Sequence, residues 1–137
     1  MITEVRFRIY EFAEHGDQSV IRKWLDAESI SKRDRGQLMA KMDLLAKEGL
    51  ALASVGGPIR SKRKRIQSHT YKLIVHGDKM LRPMFCKGPI DTENEFTFLV
   101  GAIEANWTLD TDVADAEERR ARLIVDPTLR IQNGRYR

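Results

Sequence analysis

A single cysteine in 137 residues, Cys86, leaves no partner for an internal disulfide and no thiolate set for a structural zinc site. No stretch approaches the roughly 18 uncharged apolar residues that a membrane-spanning helix needs, so no membrane partner is expected. The N-terminal run MITEVRFRIYEFAEHGD scatters charges through itself. It lacks the apolar centre and small-residue cleavage site of a secretory signal, which predicts a cytoplasmic protein. The chain also lacks a Gly-rich phosphate loop, a His-x-x-x-His pair and a Gly-x-Ser-x-Gly nucleophile turn. Its three histidines, His15, His69 and His76, stand too far apart to suggest a metal, and no cofactor is expected. No tract of one residue type occurs. With 42% apolar and 32% charged residues the composition is that of a globular chain rather than a disordered or collagen-like one, and the length is that of one domain.

What is present is a segregation of charge. Residues 1–59 balance nine basic against nine acidic residues, whereas residues 60–87 carry nine basic residues and one acid, Asp78. Residues 91–118 reverse this with nine acids and no Lys or Arg, and residues 119–137 return six Arg against Asp126 alone. A basic block in an otherwise balanced domain is the electrostatic footprint of a polyanion-binding surface, most often for nucleic acid, or else a solvated loop.

The elements follow from periodicity. Val5, Phe7 and Ile9 alternate with Arg6, Arg8 and Tyr10 as in a half-buried strand. Asp17 or Ser19 can cap a helix carrying Val20, Ile21, Trp24 and Leu25 to about Glu28. Ser31, with Asp34 three residues on, opens a second helix with a capping-box pattern, and Gly49 ends it. The two helices are expected to pair as a hairpin. A Gly/Pro loop from Leu50 ends in the run Arg60, Lys62, Arg63, Lys64 and Arg65. A strand from Ile66 to Val75, a turn at 76–79 and a strand through Leu81, Pro83 and Phe85 follow; Pro83, lacking an N–H, belongs at an edge or bulge. Glu95–Gly101 is apolar on both faces and predicts a central strand. The last helix is capped by Asp112, has Asp115–Arg119 and Glu118–Arg122 at i,i+4 spacing, and stops before Pro127. Its apolar face, Val113, Ala116, Leu123 and Ile124, is interrupted by Arg120. The expected fold is α+β: a strand, a two-helix hairpin, an antiparallel sheet of about four strands and a C-terminal helix. It forms one domain over 1–126, with a basic, mobile tail at 127–137.

A hairpin loaded with cations, near a helix whose arginines approach the same face, suits RNA phosphates. Arg60, Lys62, Arg63, Lys64, Arg65 and Lys79 are the candidate RNA-binding residues. Cleavage of RNA further requires a base for the 2′-hydroxyl, cations for the phosphorane and an acid for the leaving 5′-oxygen. Lys72, His69 and His76 are candidates for base or acid, and Arg82, Lys87 and Arg120 for charge. Cys86, in a strand, reads as packed rather than reactive.

The order of elements, with the Tyr71-Lys72-Leu73 strand and the Leu81-Arg82-Pro83-Met84-Phe85 strand, resembles the RelE/ParE superfamily of toxin–antitoxin toxins, in its HigB-like, phage-encoded branch. The resemblance covers about residues 4–125. It keeps the second strand's arginine as Arg82, replaces the first strand's Glu and Arg by Lys72 and Ile74, and has Val100 to Asn106 where the family carries His-Gly-Phe-x-Lys-Lys. It implies a microbial-ribonuclease-like fold and metal-independent endoribonuclease action on mRNA in the ribosome. It further implies partnership with the ribosome and mRNA and neutralisation by a cognate antitoxin protein. The alternatives are a non-catalytic module binding nucleic acid or a host protein on the same fold, and a ParE-like gyrase inhibitor.

Overall fold

The computed structural model describes residues 4–51, 53–61 and 68–137. The elements are β1 (Arg8–Phe12), α1 (Val20–Ala27), α2 (Lys32–Glu48), β2 (Val55–Gly56), β3 (Thr70–Leu73), β4 (Met80–Leu81) and β5 (Met84–Lys87). They continue through β6 (Glu95–Val100), β7 (Ile103–Ala105), β8 (Thr108–Leu109), α3 (Val113–Val125) and β9 (Arg130–Gln132). The class is α+β, as expected, but the sheet is larger than the four strands expected. Six strands run in the order β2-β3-β5-β6-β1-β9, and β4, β7 and β8 form a second, three-stranded sheet.

Alternation along each strand sends side chains to two different cores. Ile9, Leu73, Phe85, Phe96 and Phe98 pack under α1 and α2 with Ile21, Leu38, Met42 and Leu45. Phe12, Met84, Cys86 and Leu99 pack under α3 with Val113, Ala116 and Leu123. Ile124, counted by periodicity on the apolar face of α3, is about half exposed instead. The sheet is antiparallel except for β1 and β6, which run parallel with Ile9 opposite Phe96 and Glu11 opposite Phe98. β6 is the central strand that its two-sided apolar pattern predicts.

Local signals placed the helix ends correctly. The hydroxyls of Ser19, Ser31 and the carboxylate of Asp112 accept the first free N–H groups of α1, α2 and α3, and Gly49 sits at the end of α2 with φ 71°. The capping box at Ser31 is only half formed. The buried Asp34 carboxylate turns away from Ser31 and accepts the N–H groups of Asp78 and Lys79 at 3.2 Å each, tying the 76–79 turn to α2. The approach is so close that a Cβ on Gly77 would lie 2.3 Å from Asp34 Oδ1.

Two expectations are corrected and one is extended. The first strand starts at Arg8, because the N–H groups of Arg6 and Phe7 both donate to the Ala46 carbonyl of α2 rather than to a strand. Arg119 and Arg122 reach across the fold, Arg119 to the Leu99 carbonyl at 2.7 Å and Arg122 as a fork onto Glu14 at 2.6 and 2.8 Å. Residues 127–137, expected to be a mobile appendage, belong to the domain. β9 pairs with β1 through Glu11–Ile131, Tyr136 is fully buried, and Arg135 grips Asp43 with two bonds of 2.8 Å while the Tyr136 hydroxyl donates to Asp43 at 2.6 Å. Asp43 lies 92 residues from Arg135, a distance no local pattern bridges.

The Arg135 guanidinium holds the Asp43 carboxyl below its ordinary range. A depressed carboxyl stabilises the fold above its unfolded pKa and loses that contribution as pH falls through the folded value. Asp43→Ala is therefore expected to cost about 1–3 kcal/mol at neutral pH, read by urea unfolding. The gap to the wild type should narrow below about pH 4. An equal gap in strong acid would assign the anchoring to Tyr136 burial alone.

Candidate functional site

β3 separates its residues by pleat: Tyr71 joins the α1/α2 core, while Thr70 and Lys72 face the α3 side. The Lys72 stem lies across Gly56 of β2, where a Cβ would come within 2.9 Å of its Cε. This directs the ammonium toward β7. There Lys72 Nζ stands 3.6 Å from Glu104 Oε1, and the Arg82 Nε stands 3.5 Å from the same oxygen. Two of the cations singled out from sequence thus converge, and they do so on an acid that sequence reasoning leaves without a role.

The two differ in access. The Arg82 side chain is 6% exposed, and its guanidinium also donates to the carbonyls of Val75 at 3.1 Å and Leu81 at 2.8 Å. Arg82 is a structural node that locks β4 and holds Glu104 in place, so its guanidinium does not face solvent. Lys72 and Glu104, 27% and 22% exposed, form part of the wall of a cleft of about 580 Å³. Ile59, Arg60, Trp107, Asp110 and the first turn of α3 complete it.

Arg60 is exposed at the cleft's edge. His69 lies at the start of β3, its main-chain N–H donating to the Glu117 carboxylate of α3 and its Nδ1 3.5 Å from it. Lys79 donates to the Glu28 carbonyl at 2.8 Å and sits away from the cleft, and Lys87 is exposed at the end of β5. Arg120 presses its Nε into the protein without a hydrogen-bond partner among the described residues, as does the hydroxyl of the buried Thr70. Lys62, Arg63, Lys64 and Arg65 lie outside the described residues. Cys86, paired with Thr70 across β3 and β5, has its thiol pushed up to about 12 by burial, with Arg120 acting weakly against the shift. A neutral buried thiol packs and does not react.

Among the described residues no group of three or more His, Cys, Asp or Glu side chains converges as a metal site, and no helix is long and apolar enough to cross a membrane. Glu104 and Trp107 were not legible because β7 and β8 are three and two residues long, too short to show a period. No family model, curated protein or solved structure matches the chain.

Removing the Arg82 guanidinium leaves Glu104 with Lys72 alone and two carbonyls without their donor. Arg82→Ala is expected to lower stability by roughly 1–3 kcal/mol, measured by denaturant unfolding. A variant as stable as the wild type would show that these contacts make no net contribution.

Proposed function

We propose that the protein acts on RNA as the toxin of a toxin–antitoxin pair, a metal-independent and ribosome-dependent mRNA endoribonuclease of the RelE/ParE kind working in the cytoplasm. Support comes from the order of elements, a strand, two helices, strands of a sheet and a helix near the C-terminus, and from the basic sequence that precedes β3. The observation that carries the reading is Glu104, a carboxylate held between Lys72 and Arg82 in the wall of an open cleft.

In this reading Glu104 takes the 2′-hydroxyl proton. The freed oxygen attacks the adjacent phosphorus, and the bond to the 5′-oxygen breaks, leaving a 2′,3′-cyclic phosphate and a 5′-hydroxyl. The Lys72 ammonium offsets the charge of the phosphorane and supplies the proton to the departing oxygen. Arg82 is a positioning residue: it fixes Glu104 and does not touch the phosphate. An antitoxin would cover the basic surface with an acidic or amphipathic segment. The second reading, a nucleic-acid-binding module without catalysis, draws on the same pair: the ion pairs to Glu104 serve equally to close β7 onto β3 and β4.

A reconstituted translation reaction with mRNA ends mapped by primer extension separates the two. The toxin reading expects new ends inside translated codons, absent without ribosomes, with Glu104→Gln slower by about 10²–10⁴-fold. Intact mRNA in the presence of protein that binds RNA in a salt-sensitive manner would establish the binding module instead.

A further inference from the structure

Trp107 is 94% exposed, the most exposed of the large apolar side chains among the described residues. It occupies the tip of the β7–β8 hairpin, whose last ladder pair is Ala105 with Thr108, so Asn106 and Trp107 form a two-residue turn. Both have left-handed backbone, φ 52° and 65°. This turn favours Asn followed by Gly, and Asn106 meets the first requirement. Trp107 stands where glycine is wanted. The residue therefore costs backbone strain and leaves its indole in water, and neither cost is offset by any packing inside the fold. Strain retained without an internal return points to a role outside the molecule.

Trp107 and Arg60 both line the Lys72–Glu104 cleft. The cleft's acids are engaged by the chain itself. Asp110 Oδ1 accepts the Ile103 N–H at 2.8 Å, Asp112 caps α3, and Glu104 is paired with two cations. Arg60 makes no ion pair among the described residues and stands immediately before the basic run at 62–65. An open aromatic face beside a free guanidinium is the pairing used by grooves for single-stranded nucleic acid, where bases stack on the ring and phosphates meet the cation.

Resting on the RNA reading above, we infer that Trp107 is a stacking platform for an unpaired RNA base and that Arg60 takes the adjoining phosphate. The base stacks without a sequence-specific hydrogen bond from the indole, so the platform positions the strand over Glu104 and Lys72 while tolerating any base.

The test uses the full-length protein and a 2′-O-methyl RNA octamer of mixed sequence, which binds but cannot be cleaved by 2′-hydroxyl attack. Wild type is expected to show quenched tryptophan emission on titration. Trp107→Ala should lose the quench and bind roughly 5- to 150-fold more weakly, with an unchanged slope of log affinity against log salt, because no phosphate contact is removed. Trp107→Phe should recover most of the affinity. Arg60→Ala should lower the slope instead. The remaining emission of Trp24 reports that each variant is folded. If Trp107→Ala binds as tightly as wild type, the stacking assignment falls while the RNA reading stands. If the wild type fails to bind the octamer even at low salt, the stacking assignment falls, and the RNA reading is decided separately by the translation reaction.

Discussion

Every residue of β6 from Glu95 to Val100 is buried, and the strand has a hydrogen-bonded neighbour on each side. This constraint dictates the layout. A strand apolar on both faces needs two covers, which α1/α2 and α3 supply from opposite sides. A parallel neighbour, β1, cannot be reached by a tight turn, so a long connection must separate β1 from β6. Helices α1 and α2 and strands β2 to β5 occupy that connection. Fully burying a side chain such as Phe98 is worth about 1.5–3 kcal/mol, and Phe96, Phe98 and Leu99 all draw on that term.

The same strand carries a carboxylate inward, and this determines how much of the basic charge is available. Glu95 is 2% exposed and is bonded by Arg130, with Arg8 3.7 Å away; the Arg130 guanidinium also lies 3.6 Å from the centre of the Tyr10 ring. A buried carboxylate without donors is costly, so β9 supplies the pairing arginine and closes the free edge of β1 at the same time. Similar uses absorb Arg82, Arg119, Arg122 and Arg135. The net positive charge of residues 60–87 and 119–137 therefore overstates the surface offered to a polyanion. Among the described residues of these stretches Arg60, Lys87 and Arg137 are exposed and in no ion pair, Arg120 is part-buried, and the sequence continues from Arg60 into the run at 62–65.

Features determined by near neighbours were legible in the sequence. Ser31, Gly49 and Asp112 cap helices because caps are decided within four residues, and the Glu95–Val100 strand shows its two-sided burial in its composition. Pro83 was also placed by its missing donor: it falls between β4 and β5, beside the register shift at Met84 and Phe85, and only its carbonyl is used, accepting from Leu73. What failed was set at a distance. The tail is anchored by Asp43 on α2, and two arginines of α3 bond groups far off in the chain, Arg122 as a two-bond fork onto Glu14 and Arg119 onto the Leu99 carbonyl, partners that helical spacing does not reveal. The candidate site straddles the two sheets, and the residues that join them, Glu104 and Trp107, lie in strands and turns of two or three residues.

The Lys72–Glu104–Arg82 group explains how one arrangement can be both a brace and a site. One Glu104 oxygen faces two cations that differ in how firmly they are held. Arg82 cannot leave, since Val75 and Leu81 hold its guanidinium in the interior. Lys72 is on a flexible stem at the cleft wall, so a phosphate entering there competes with Glu104 for the ammonium. As the ammonium turns to the phosphate, Glu104 keeps only its contact with Arg82, and the oxygen that Lys72 faced opens toward the bound strand. The asymmetry between a buried arginine and a movable lysine, both on one oxygen, is what makes the proposed chemistry depend on substrate.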